Sequence, residues 1–349
     1  MKGIALLLKR LTSVGAATLL AGCVLGVSAT AASASAKLVG EGSTLVAPLE
    51  AEWAAAWDSS TGNTVTFTAD GSGAGYKGIA NNIDDFGASD APLSAYSSPV
   101  CSNCVQIPWA LSATGVSYNI PGLRLKRGKA LHLSPQDLAG IYLGTITNWS
   151  DHRITSLNPG VHIPSTTITP IWRNDASGDS FAFSSELSDV SGAFRGAVGP
   201  STQPAFKKGV GAKGNSGMAS ALASTPGGIA YISVAYLLAN SLPAAAVRNN
   251  AGRYEVPNLN AIENAASVFH SVPSNDQLTI VNPRRGAKNA YPISTYTYVI
   301  VHRGATQGAL LQEFIGYALT GGQRFGPRLG FAPLPKDVLR AAQAELHAV

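Results

Sequence analysis

Charge is scarce in this chain of 349 residues: only 13% are Asp, Glu, Lys or Arg, against about 25% in ordinary soluble domains. Hydrophobic residues make up 45%, the reverse of the low-hydrophobicity, high-charge composition of disordered chains. The formal charge of +5 is misleading, because Lys2, Lys9 and Arg10 supply three of those charges and no acid precedes residue 37. The remainder is nearly neutral and has no basic stripe, which makes it a poor polyanion binder. Long apolar runs are missing too. Ile229–Ala239 and Thr297–Val301 are the most apolar stretches after the leader, and both are core-sized, well short of the roughly 20 residues of a membrane span.

Cysteine is rarer still, with three in the chain. Cys101-Ser102-Asn103-Cys104 has no second C-x-x-C, and His132, His152, His162, His270, His302 and His347 show no ligand spacing. That argues against zinc and leaves no metal site. A thioredoxin-like pair would open a helix after a strand, yet Ser98-Pro99 precedes this one and Pro108 follows. The expectation is a short disulfide between Cys101 and Cys104, stapling a surface turn in an oxidising compartment. So small a loop contributes little chain-entropy stabilisation.

What the N-terminus does contain fits export. Met1–Arg10 is basic, and Leu11–Gly22 is an apolar stretch of the length of a secretory h-region. Two cleavage sites compete. Leu20-Ala21-Gly22-Cys23 has the form of a lipobox, with Cys23 as the lipidated residue of a bacterial lipoprotein held at the outer face of the membrane. Ala34-Ser35-Ala36 is an A-x-A site that would release a soluble protein beginning at Lys37. The lipobox, at the end of a normal h-region, is the favoured reading. In either case residues 1–36 are leader and tether, and the membrane is touched only through a lipid anchor.

Beyond Ala36 the chain is long enough for two domains of about 150 residues. Helix-period and strand-like stretches alternate, which predicts an α/β fold. Leu45–Trp57 reads as a helix with apolar positions 45, 46, 49, 53 and 57, and Val65–Thr68 as a strand. Leu138–Tyr142, Ile168–Trp172, Ile229–Ile232 and Thr297–Val301 are strands or short buried segments. No Gly/Ser linker divides the chain, so it would cross between domains in extended segments.

Glycine is the abundant residue, 37 of 349, against a usual share of about 7%. It gathers in loops of one style. Gly40-Glu41-Gly42-Ser43-Thr44 precedes the helix from Leu45, and Asp70-Gly71-Ser72-Gly73-Ala74-Gly75 precedes Tyr76–Asn82. Arg173–Ser180 precedes Phe181–Leu187, and Gly211–Gly217 precedes Met218. A glycine/hydroxyl loop entering a helix aims free N–H groups, a cap hydroxyl and the positive dipole end at one point. One such loop is usually an ordinary cap; several together point to a small oxyanion. None has the G-x-x-x-x-G-K-[ST] spacing of a nucleotide P-loop. Asp90, in Phe86-Gly87-Ala88-Ser89-Asp90-Ala91-Pro92-Leu93, would by itself be a turn aspartate.

Taken together, these residues resemble the substrate-binding proteins of high-affinity bacterial phosphate ABC transporters. Phe86–Leu93 matches that family's FGASDAPL segment letter for letter, Gly40–Thr44 its glycine-rich start, Arg173–Asp179 its RADGSGT-like loop and Gly214–Gly217 its GNxG segment. Asn119–Leu123, Ile141–Gly144 with Trp149, and Pro292–Ser294 follow in matching order, so the resemblance spans residues 38–340. It implies a bilobal, periplasmic-binding-protein type II (Venus-flytrap) α/β fold with mixed sheets and a two-segment hinge. Lobe I would comprise 37–116 and 293–349, and lobe II 117–292. It further implies a monomeric receptor that closes around inorganic phosphate and delivers it to an ABC permease with a cytoplasmic ATPase, without cofactor or chemistry.

Carried over by position, Thr44 and Ser72 would donate hydroxyls and Leu45 a backbone N–H. Arg173 would be the counter-charge, held by Asp175, while Ser177 and Gly178 would add donors from a helix start. Asp90 would accept the ligand's proton. A carboxylate facing an anion is repulsive unless the ligand carries a donor, as monohydrogen phosphate does and sulfate does not. A buried acceptor left unpaired discriminates by a factor on the order of 10⁴–10⁵.

Asp179 departs from the pattern, since the family usually has Thr there. The expected orientation is outward, as a helix-start aspartate, with Ser180 supplying the hydroxyl. An inward Asp179 would instead favour dihydrogen phosphate and tighter binding at lower pH. Two other functions compete. Gly178-Asp179-Ser180 resembles the GDS block of serine hydrolases, with Ser180 as nucleophile, but the required D-x-x-H near the C-terminus is missing. A secreted phosphate scavenger or adhesin, uncoupled from any transporter, fits the same residues. Arg124, Lys126, Arg127 and Lys129 lack interleaved aromatics and read as a solvated loop, like Arg284–Lys288. The five tryptophans read as core.

Overall fold

The computed structural model describes residues 35–98, 101–268 and 272–349. The leader, with Cys23, lies outside the described residues. Strands β1 (Lys37–Gly42), β2 (Thr64–Thr68) and β3 (Phe86–Ser89) are parallel, β1 lying between the other two. Helices Ala47–Thr61 and Ser72–Ala80 cross between them, as parallel pairing requires. Antiparallel β4 (Cys104–Asn119) and two-residue β5 (His132–Leu133) follow.

A second parallel set comprises β6 (Thr169–Arg173), β7 (Val210–Ala212) and β8 (Gly228–Ser233), with helices Gly178–Val190 and Gly214–Ser224 between its strands. Strands β9 (Ala246–Arg248) and β10 (Tyr254–Glu255) join β5 in a small sheet, and β11 (Ser294–His302) returns to the main one. The main sheet has eight strands in the order β2-β1-β3-β11-β4-β8-β6-β7. The chain is thus α/β, as expected.

Strand β4 joins the two parallel sets. Its 16 residues pair with β11 over Cys104–Ala113 and with β8 over Thr114–Asn119. Such a strand, buried on both faces, reads as continuous apolar sequence rather than an alternation. Pro108 lies within it and has no N–H to give. The register accommodates it by slipping at Thr297/Tyr298, which pair with Ala110 and Pro108 and leave Trp109 as the extra residue of a bulge. Trp109 packs against Trp53 at 4.9 Å between ring centroids, and Trp53 Nε1 donates to Gly322 O at 2.9 Å.

The predicted helix over 45–57 is Ala47–Thr61, ended by Gly62 at φ 75°, whose N–H bonds Asp58 O. Leu138–Tyr142 is helical, inside Pro135–Leu143, which Ser134 and Asp137 open with a capping box. The apolar run Ile229–Ala239 divides between β8 and helix Val234–Ala239. Cys101 and Cys104 are joined by a disulfide, with Cα atoms 5.5 Å apart. Among the described residues no helix is long and apolar enough to cross a membrane.

Parallel strands feed their helices from the carboxyl ends, where ligands of open α/β sheets bind. The loops after β1, β2, β3, β6 and β7 contain Ser43-Thr44, Gly71-Ser72, Asp90, Asp175–Ser177 and Gly214-Asn215. Apart from the Asp90 turn, these are the glycine loops of the sequence.

Helix Ala47–Thr61 also buries Glu50, whose Oε1 has no hydrogen-bond partner. Burial pushes its carboxyl up to about 8. A folded-state pKa above the unfolded one contributes stability in full below the unfolded value and loses it as pH rises through the folded value. Denaturant midpoints should therefore fall for the wild type between pH 5 and pH 8, and Glu50→Gln should remove part of that fall. Parallel pH profiles for the two proteins would contradict the burial argument.

Candidate functional site

The site is built on Arg173, at the end of β6 and 2% exposed. Its Nε donates to Asp175 Oδ1 at 2.7 Å and its Nη2 to Asp175 Oδ2, a two-pronged grip. Its Nη1 donates to Asp179 Oδ2 at 3.3 Å. Burial pulls the guanidinium's pKa down, but the bonds and charges of Asp175 and Asp179 outweigh it and the net direction is up. Asp175 Oδ1 also accepts from Gly214 N at 3.0 Å, so one carboxylate ties the β6 loop to the β7 loop. Gly71, at φ 105°, lies against this pair: a Cβ there would come within 2.4 Å of Asp175 Oδ2. Only glycine allows so close an approach in that conformation.

Asp179 does not turn outward. It begins helix Gly178–Val190, as read, but it is fully buried. Thr114 Oγ1 donates to its Oδ1 at 2.7 Å, and Asn215 Nδ2 to its Oδ2 at 2.7 Å. The outward expectation weighed the helix dipole alone. The donors that draw the carboxylate inward come from β4 and from helix Gly214–Ser224, remote in sequence. Ser180 Oγ lies against Tyr231 OH at 2.8 Å, and Tyr231 OH also accepts from Arg173 N at 3.0 Å.

Asp90 follows β3 and is 2% exposed. Ser43 Oγ lies 2.6 and 2.7 Å from its two carboxylate oxygens, and Ser72 Oγ 3.1 Å from Oδ2. Ser72 Oγ in turn accepts from Asp90 N at 3.2 Å and from Gly178 N at 3.1 Å. A Cβ on Gly178 would sit 2.4 Å from Asp90 Cβ, so glycine is required where the two loops meet. Burial, then the charge of Asp179, push the Asp90 carboxyl up to about 7 against the pull of Ser43, Ser72 and Arg173. The Asp179 carboxyl is also raised, by burial, although Arg173, Thr114 and Asn215 oppose it. Three carboxylates thus share one buried guanidinium, and a proton is the cheapest relief for the excess negative charge.

Two hydroxyls stand ready to donate. Thr44 Oγ1 accepts from Asn215 N at 3.2 Å and from Asn215 Nδ2 at 3.0 Å, leaving its own proton free. Ser177 Oγ caps the helix by accepting from Ser180 N at 3.3 Å, and its proton is free in the same way. Leu45 is buried, but its N–H is spent on Ser43 Oγ at 3.0 Å, just as the Ser72 hydroxyl is spent on Asp90 and Gly178 N on Ser72 Oγ. These three are not the free donors the resemblance implied, because the acceptors Ser43, Asp90 and Ser72 occupy them. The structure therefore brings Thr44, Leu45, Ser72, Asp90, Arg173, Asp175, Ser177, Gly178 and Asp179 into one buried polar cluster. It adds Ser43, Thr114 and Asn215, which the sequence reading did not assign. Asn215 had a local signal, lying second in the glycine segment that opens its helix. Thr114, in the middle of an apolar strand, had none.

Residues 27–321 match the family profile described as the PBP superfamily domain. Phosphate-binding protein PstS of Xylella fastidiosa is 33% identical over 313 residues, 89% of this chain and 85% of the relative. Phosphate-binding protein PstS 2 of Mycobacterium tuberculosis is 32% identical over 307 residues, covering 83% and 81%. Among solved structures, a phosphate-binding protein from Stenotrophomonas maltophilia superposes with TM-score 0.65 at 20% identity over 89% of this chain and 94% of that one. A periplasmic phosphate-binding protein (PfluDING) with bound phosphate gives TM-score 0.66 at 20% identity, covering 88% and 93%. These structures support the periplasmic-binding-protein fold.

The charge argument is testable without ligand. By carbon-detected NMR, Asp90 should titrate near 7, and Asp179→Asn should move it down while leaving it above an ordinary aspartate, because burial remains. An Asp90 titrating in the ordinary carboxylate range would refute it.

Proposed function

This chain belongs to the PstS phosphate-binding proteins of the PBP superfamily, and from that premise we propose that it binds inorganic phosphate at the Arg173 cluster and hands it to an ABC permease. The family's proteins are receptors rather than enzymes, and so is this one. The observation that carries the phosphate reading is the pairing of donors with one protonatable acceptor. Thr44 offers a hydroxyl beside Asn215, which also donates to Asp179, and Ser177 offers one at the start of helix Gly178–Val190, while an ionised Asp90 accepts a proton from the ligand. Sulfate brings no proton, so its entry would leave an ionised Asp90 unpaired and facing like charge; the discrimination is therefore sharpest above pH 7, where Asp90 is ionised.

The two halves of the main sheet supply the loops in the manner of two lobes. Residues 37–116 and 293–349 make one and 117–292 the other, and β4 and β11 lie at their junction. Closure of lobe II on lobe I would bring Gly178 and Ala176 to the Ser72 loop, where Gly178 N bonds Ser72 Oγ at 3.1 Å and Gly73 N bonds Ala176 O at 3.0 Å. The leader would export the chain. Cys23 is the favoured processing point, because Ala36 already takes part in the fold: its N–H donates to Asn63 Oδ1 at 3.0 Å and its carbonyl accepts from Thr64 at 2.8 Å. A cut after Ala36 would lose both bonds.

Calorimetry with phosphate, arsenate and sulfate tests the binding. Phosphate and arsenate should bind, with sulfate weaker by roughly 10⁴-fold or more, and Asp90→Asn should narrow that gap. Equal binding of sulfate and phosphate by the wild type would sink the proposed role of Asp90. The inward Asp179 adds a second expectation. With three carboxylates around the ligand, affinity should rise from pH 8 to pH 5 as protons are supplied, and Asp179→Thr should flatten the profile. Affinity that is unchanged or stronger at pH 8 would show that Asp179 does not oppose the anion.

A further inference from the structure

Far along the chain from the Arg173 loops, the antiparallel register of β4 and β11 sets His302 opposite Cys104. The turn beside it is pinned twice: Arg303 N donates to Asn103 O at 2.9 Å, and Asn103 Nδ2 donates to Arg303 O at 3.1 Å. His302 Nε2 lies 2.9 Å from Ile79 O. A carbonyl can only accept, so Nε2 carries the proton and Nδ1 keeps its lone pair. That lone pair is 3.9 Å from Cys101 Sγ, and one ligating atom from each of Cys101, Cys104 and His302 lies within 4.8 Å of the others.

We propose that Cys101, Cys104 and His302 form, once the disulfide is reduced, a three-ligand site for a soft divalent cation of the zinc class. Tetrahedral zinc with Zn–S near 2.3 Å and Zn–N near 2.0 Å places sulfur and nitrogen ligands about 3.5 Å apart, a small adjustment from the 3.9 Å between Cys101 Sγ and His302 Nδ1, while the two sulfurs, freed of their bond, must rotate apart to about 3.8 Å. A metal-bound histidine almost always donates its other ring N–H to a carbonyl or carboxylate, which fixes ring and tautomer. Ile79 O already supplies that partner. All three residues are half-buried, and Cys101 and His302 open on a cavity of about 550 Å³. The same cavity is lined by Asp84, whose buried Oδ2 has no hydrogen-bond partner, and by Asp85, whose oxygens are taken by Val39 N and Gln307 Nε2. Arg303 lines the cavity too, but its charge is paired with Glu345 at 2.5 Å, so Asp84 and Asp85 leave a negative approach with room for a fourth, exchangeable ligand.

In the oxidised protein the sulfurs are spent on each other. A dithiol reductant opens the site: it gives two electrons and two protons to the Cys101–Cys104 bond and becomes a disulfide itself. The two thiols then lose their protons to solvent as the cation binds as a bis-thiolate. The pair thus couples metal occupancy to the redox state of the compartment.

The test uses the full chain carrying Cys23→Ser, so that the third thiol does not contribute, with Co²⁺ as spectroscopic probe. Oxidised protein should show no thiolate-to-cobalt charge-transfer band. After reduction by a phosphine and its removal, one equivalent of Co²⁺ should give the band, and Zn²⁺ should abolish it. His302→Ala should weaken binding by about tenfold or more, and Cys101→Ser/Cys104→Ser should eliminate it. No band above that double variant, or equal affinity in His302→Ala, overturns the proposal. So does unfolding on reduction, since the strand register that spaces the ligands is then gone.

Discussion

The Arg173 guanidinium, buried and gripped by two carboxylates, is the interaction on which the rest of the site depends. A buried cation is tolerable only with its partners in place, and removing one partner of such a pair typically costs about 3–5 kcal/mol. Asp175 and Asp179 meet that requirement from opposite sides, and each is held by further donors, Gly214 N for one and Thr114 and Asn215 for the other. Loops after β6 and β7 and a residue of β4 are thereby locked to one charge. Asp175 contributes rigidity, while Asp179 adds to the negative charge that raises Asp90.

That excess of acid is the chemical character of this site. A site of hydroxyls and N–H groups alone would attract any small tetrahedral anion. Adding buried acceptors makes protonation part of recognition, since an acceptor facing an anion is favourable only when a proton lies between them. Ser43 and Ser72 hold Asp90 in place, and Gly178 lets the helix start approach it to a distance no side chain would permit.

Much of this was legible in the chain. The glycine/hydroxyl loops pointed to helix starts of the kind that suit anions, because the chemistry of that pattern follows from neighbouring residues, while Arg173 as a counter-charge held by Asp175 came from the family resemblance. The orientation of Asp179 was not legible. Its helix-start position favoured solvent, while Thr114 and Asn215, distant in sequence, favour the interior. Leu138–Tyr142 was ambiguous for a related reason: a short apolar run has no period of its own, and the Ser134–Asp137 capping box decided for helix.

Composition and local motif by themselves determined the class of fold and the helix-start loops, since each depends on contacts within a few residues. Tertiary structure alone decided which acids share Arg173, that the Asp90 and Asp179 carboxyls are raised by burial, and that His302 faces Cys101 and Cys104. Those outcomes depend on strand register and on burial, which bring residues 65 and 201 positions apart into contact and remove the water that would otherwise have settled their charge.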